Sequence, residues 1–197
     1  RVLFRSFDSV ILVIDSVNGV EEQTRRLMEV CRMRTTPVIV FVNKMDRDGK
    51  NRFDLLEEIE KELKIQVHPM TWPINSGKDF KGVYNLHDKS LILFQAHAKG
   101  AQEDKIAIDA HAIEALGQRI GARDAQLLVE DVELIEGVYG ELHVQDYLDG
   151  KVAPVFFGSA VNNFGVQEML DTFIQISPSP RGRETSLRKV EVREDRF

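Results

Sequence analysis

Apolar residues along this chain gather in short unbroken runs: Val10-Ile11-Leu12-Val13-Ile14, Val38-Ile39-Val40-Phe41-Val42 and Val152-Ala153-Pro154-Val155-Phe156-Phe157. Strands buried on both faces read this way, which points to a parallel sheet. Between the first two runs, Glu21 to Met33 sets Leu27, Met28 and Cys31 at helical spacing, with Glu21 and Glu22 where carboxylates favour the helix dipole. After the second run, Asn51 with Asp54 three residues on predicts a capped helix carrying Leu55, Leu56, Ile59 and Leu63 on one face. The third run leads through Asn163-Phe164-Gly165 into Val166, Met169, Leu170, Phe173 and Ile174, again at helical spacing. Strand and helix alternate, so the expected fold is α/β, a doubly wound and mostly parallel sheet.

From about residue 65 to 150 the rhythm changes, and this region reads as an insertion between strands. It holds a hairpin, Gly82-Val83-Tyr84 answered by Ser90-Leu91-Ile92-Leu93-Phe94, then a weakly patterned stretch, then helical periodicity in Leu127, Leu128, Val132 and Ile135. Ser177-Pro178-Ser179-Pro180 ends the last helix and starts a stiff linker. Beyond it, Val190 and Val192 alternate with charged residues like the first strand of another domain. The expected division is therefore a partial α/β domain over 1–178, with 179–197 forming a linker and the start of a β domain.

Composition narrows the class. No apolar run approaches the roughly 20 residues of a membrane span, and no secretory signal is visible. One cysteine, Cys31, cannot form an internal disulfide, which fits a reducing, cytoplasmic setting. A net charge of −6 argues against a broad binder of DNA or RNA, which needs a clustered basic face. In the tail, Arg181, Arg183, Arg188, Lys189 and Arg193 are interleaved with Glu184, Glu191, Glu194 and Asp195, the pattern of a solvated segment. His68, His87, His97, His111 and His143 have no metal-like spacing. Cys31, on an apolar helix face, reads as a small core residue. Trp72, flanked by Pro73, reads as an anchor of the insertion.

The chemistry concentrates at Asn43-Lys44-Met45-Asp46, directly after the second run. In open α/β sheets ligands bind beyond the carboxyl ends of the strands. An Asp46 carboxylate in plane with guanine accepts from both N1–H and the exocyclic N2–H, a pair adenine does not present. Asn43 can meet the N7/O6 edge and tie neighbouring loops together, and the stem of Lys44 can cover the ring face. Gly158-Ser159-Ala160 follows the third run on the same sheet edge, where the backbone N–H of Ala160 can donate to guanine O6. Buried acceptors reject analogues that leave them unpaired, so discrimination against adenine is expected to be large.

With these motifs the chain resembles the translation GTPases, and within them most closely the peptide chain release factor 3 family. The resemblance rests on Val42-Asn43-Lys44-Met45-Asp46-Arg47-Asp48, on Thr71-Trp72-Pro73-Ile74 followed by Gly77-Lys78 and Phe80-Lys81-Gly82-Val83-Tyr84, and on Pro154 to Ala160 followed by Asn163-Phe164-Gly165-Val166. Leu27-Met28-Glu29-Val30-Cys31-Arg32 extends it over nearly the whole chain. It implies a P-loop NTPase-like fold leading into a β-barrel domain, GTP or GDP as ligand with Mg2+, GTP hydrolysis by the whole protein, and the ribosome and class I release factors as partners. Elongation factor G-like function and a non-catalytic α/β interaction module are the alternatives, the first disfavoured by Thr71 to Tyr84.

The pattern is also broken. No Gly-x-x-x-x-Gly-Lys-Ser/Thr loop occurs in the 197 residues, nor the Asp-x-x-Gly-His segment. Asp79-Phe80-Lys81-Gly82 matches Asp-x-x-Gly by letters, but it follows the base motif and lacks the histidine. Val2-Leu3-Phe4-Arg5-Ser6 departs from what the resemblance leads one to expect before the first strand. The expectation is a fragment cut at both ends, in which Mg2+ is held only by parts outside this chain and the strand Val10–Ile14 lies at an open sheet edge.

Overall fold

The computed structural model describes residues 9–94, 105–178, 183–184 and 189–190. The predicted runs form β1 (Val10–Asp15), β2 (Val38–Asn43) and β8 (Val152–Phe157), with α1 (Glu22–Met33), α2 (Arg52–Leu63) and α6 (Val166–Ile176) between and after them. Glu21 stands at the N-cap position of α1, without a side-chain capping bond, instead of in its first turn. The Asn51 side chain accepts from the Phe53 N–H, as the capping pattern predicts.

A fourth strand, β3 (Gln66–Pro69), completes the main sheet, whose order is β1-β2-β8-β3 with every pair parallel. This corrects the boundary of the insertion. Residues 66–69 belong to the main sheet, and the break comes after them. The strand is short, and only Val67 and Pro69 of its four residues are buried, so no apolar run announces it.

Alternation across the central strands explains why their sequences are apolar throughout. Leu12, Ile14, Val38, Val40, Val42, Ala153, Val155 and Phe157 face α1 and α2 in the larger core cluster, with Met28, Cys31, Leu55, Leu56, Ile59 and Leu63. Ile39, Phe41 and Phe156 join the other cluster with Tyr147 of α5 (Val144–Leu148) and Met169 of α6. The sheet is covered on both faces, as parallel sheets require. Ile174 departs from the helical expectation: it is 77% exposed, while Met169 of the same helix is buried. Among the described residues β1 is an edge strand, with Val13 exposed.

The inserted region is a second, antiparallel sheet of β4 (Thr71–Ile74), β5 (Gly82–Asn85), β6 (Ser90–Leu93) and β7 (Lys105–Ala107), followed by α3 (Ile113–Ile120) and α4 (Ala122–Tyr139). The Gly82–Leu93 hairpin matches the sequence reading. Trp72 is the anchor expected of it. Fully buried, its ring packs against Phe53 of α2 and Phe157 of β8, and its Nε1–H donates to Asp131 Oδ2 of α4 at 2.9 Å. One side chain thus ties the insertion to both the main sheet and its covering helix. In α4, Leu128, Val132 and Ile135 are buried, whereas Leu127 is exposed. Two short antiparallel segments, β9 (Arg183–Glu184) and β10 (Lys189–Val190), follow. The rest of the expected linker and following strand, and the unusual start at Val2–Ser6, lie outside the described residues.

Candidate functional site

Parallel register sets the position of the site. Asp15 ends β1 opposite Asn43, and Val42 of β2 stands opposite Phe157 of β8, so the loops opening at 16, 44 and 158 leave adjacent strands at one level. All three are on the carboxyl edge, where such sheets take ligands.

Backbone bonds lock these loops together before any side chain acts. Gly158 N–H donates to Val42 O at 2.9 Å, Met45 N–H to Gly158 O at 3.1 Å, and Ser16 N–H to Asn43 O at 3.0 Å. Met45 is buried beneath the loop, while Lys44 takes a left-handed backbone at φ 69° to make the turn. Gly158 permits the close approach. A Cβ there would lie 2.3 Å from Phe164 O and 2.8 Å from Phe41 Cζ. The 3-10 turn Gly77–Asp79 of the insertion also reaches this loop, with Gly77 N–H donating to Met45 O at 2.9 Å; Gly77 holds φ 64°, and a Cβ would collide with the Asp48 carboxylate.

The side chains then join the second and third loops. Asn43 Oδ1 accepts from the N–H of Lys44 and from the N–H of Ala160, each at 2.8 Å. The fully buried Ser159 donates its hydroxyl to Asp46 Oδ1 at 2.5 Å. Asn43, Asp46, Ser159 and Ala160 are therefore one constellation, although more than a hundred residues separate the two motifs. Two of these residues have protein partners that the sequence reading did not specify. The Ala160 N–H is committed to Asn43, so Asn43 serves here as the tie between loops. Lys44 extends its ammonium to Asp15, with which it forms an ion pair.

Asp15 is a site residue that the sequence reading missed. Burial pushes its carboxyl up, but the Lys44 ammonium and the N–H groups of Val17 and Asn18 outweigh burial and hold it below its ordinary value. Its neighbour Ser16 is buried and donates its hydroxyl to Lys44 O at 3.0 Å. The signal was present: Asp15-Ser16 follows an apolar run, as Asn43 does.

A parallel sheet covered on both faces, with its polar loops gathered at the carboxyl edge, defines a doubly wound α/β domain of the nucleotide-binding kind. The family model described as elongation factor Tu GTP binding domain matches residues 3–179, and the chain belongs to that family, the GTP-binding domains of translation factors. A crystal structure of a protein from Thermus thermophilus shares the fold, with a TM-score of 0.64 at 20% sequence identity. The match covers 89% of this chain and 27% of that one, so this chain spans a little over a quarter of that protein's length.

Proposed function

We propose that this chain supplies the guanine-reading part of a translation GTPase of the release factor 3 type, a ribosome-bound enzyme that promotes departure of class I release factors after termination. The observation that carries the base-reading claim is the Ser159–Asp46 bond at 2.5 Å, which joins the two motifs and holds a carboxylate at the carboxyl edge of the sheet. In this reading Asp46 accepts from guanine N1–H and N2–H, and Asn43, braced by the bond its Oδ1 accepts from the Ala160 N–H, turns its amide toward the N7/O6 edge. Support for the release factor 3 type comes from Thr71-Trp72-Pro73-Ile74, which forms β4, and Phe80 to Tyr84, which leads into its partner β5; the turn between the two strands bonds to the base loop through Gly77 N–H and Met45 O.

The described residues fit a guanine base better than they fit the rest of the ligand. Among them no group of three or more His, Cys, Asp or Glu can hold a metal ion, and the 197 residues contain no phosphate-cradling Gly-x-x-x-x-Gly-Lys-Ser/Thr loop. They do not fit Mg2+. In GTPases that ion and the loop neutralise charge on the transferred phosphoryl group. The part played by this chain's own residues is to bind and orient the base, and the 197 residues by themselves are expected to show no GTP hydrolysis in a phosphate-release assay.

Asp46→Asn tests the pocket. An asparagine puts an amide N–H where guanine presents N2–H, whereas xanthine presents an acceptor there. Guanosine binding by the chain should weaken at least about tenfold, the worth of a hydrogen bond to a charged group, and xanthosine should gain. Unchanged guanosine affinity would remove Asp46 from the site.

A further inference from the structure

The Ser159 hydroxyl has one proton to give and lies fully buried, so its protein neighbours decide where that proton points. Two groups reach its Oγ: Asp46 Oδ1 at 2.5 Å and Asn162 Nδ2 at 2.8 Å. A carboxylate can only accept and an amide nitrogen can only donate. The bonds therefore run in one direction, from Asn162 to Ser159 to Asp46, each polarising the next. Asn162 closes the 3-10 turn Ala160–Asn162, and its backbone N–H also donates to Ser159 O at 3.1 Å. The backbone N–H and the side-chain amide of this half-buried residue thus both address Ser159.

We infer that Asn162 is a positioning residue for base selectivity. By filling a lone pair of Ser159 Oγ, it commits the hydroxyl proton to Asp46 and fixes the plane in which that carboxylate meets guanine. Position 162 lies outside both the Asn-Lys-x-Asp and the Gly-Ser-Ala patterns. An acceptor at 162 would compete with Asp46 for the one proton and let the carboxylate turn. The inference rests on the reading of Asp46 as the guanine acceptor.

Guanosine and inosine differ by the exocyclic amino group, so the ratio of their dissociation constants reports whether Asp46 meets N2–H. Both are titrated into the full 197-residue chain and followed by amide NMR shifts. Asn162→Ala and the nearly isosteric Asn162→Asp should each narrow that ratio by about two- to tenfold, the worth of one hydrogen bond. In a Ser159→Ala background, Asn162→Ala should narrow it no further, because the relay is already cut. A residue that merely supports the turn would weaken both nucleosides alike and leave the ratio unchanged, which would overturn the inference while the base pocket stands. The inference also fails if Asn162→Ala keeps its effect without the serine hydroxyl, or if both Asn162 variants lose the dispersed spectrum of a folded chain. A ratio near one in the unaltered chain would overturn the base-pocket reading and this inference together.

Discussion

His68 on β3 shows how one half-buried side chain makes stability depend on pH. Burial disfavours its imidazolium and the nearby His87 adds to the effect, so its pKa falls below the ordinary 6.5. The unfolded chain then takes up a proton at a pH where the folded chain does not. Its contribution is full above about pH 6.5 and shrinks as pH falls below that value. Urea midpoints of the unaltered chain should drop between about pH 7 and 5.5, and His68→Gln should flatten that drop. Parallel curves for the two proteins would show that His68 is protonated as readily in the fold as outside it. Nothing in the sequence around position 68 signals this, because burial of an isolated histidine is decided by what packs over it.

At the scale of elements, Trp72 decides whether the inserted sheet and the main sheet fold as one body. Its ring centroid lies 4.7 Å from that of Phe53 and 5.6 Å from that of Phe157, and Asp131 is shared between its Nε1–H and the Arg52 guanidinium, whose ion pair measures 2.6 Å. Trp72→Ala should cost about 3–5 kcal/mol in chemical unfolding. Trp72→Phe should cost less, because Arg52 still pairs with Asp131 and only one hydrogen bond of about 1 kcal/mol is lost. Equal losses for the two variants would mean that the indole N–H, and not the ring, holds the insertion. The elements most legible in sequence were those whose burial is written into every residue. β2 has apolar residues on both faces because both are covered, and α2 carries Leu55, Leu56, Ile59 and Leu63 on one face because only one is. β3 was not legible, since its place is set by pairing to β8 and its residues carry no run. β7 and α3 were equally silent: β7 is held by pairing to β6, and α3 buries only Leu116 and Ile120.

Across the whole molecule, the candidate site is assembled because three parallel strands end in register and their loops bond to one another. Asn43, Asp46, Ser159 and Ala160 were readable from order alone, each motif following an apolar run. Asp15 carries the same positional signal after its apolar run, but its pairing with Lys44 does not show in the order of residues, and Asn162 carries no signal at all, because its role depends on the fold bringing it to the Ser159 hydroxyl. Base recognition can be separated from everything the phosphates require by using nucleosides in place of nucleotides. Amide spectra of the isotopically labelled 197-residue chain, recorded during titration with guanosine and with adenosine, test that recognition directly. Guanosine should shift residues 43–46 and 158–162 saturably while adenosine leaves them unmoved, whereas equal responses to the two, or shifts confined to other parts of the chain, would contradict a guanine-reading site at this sheet edge.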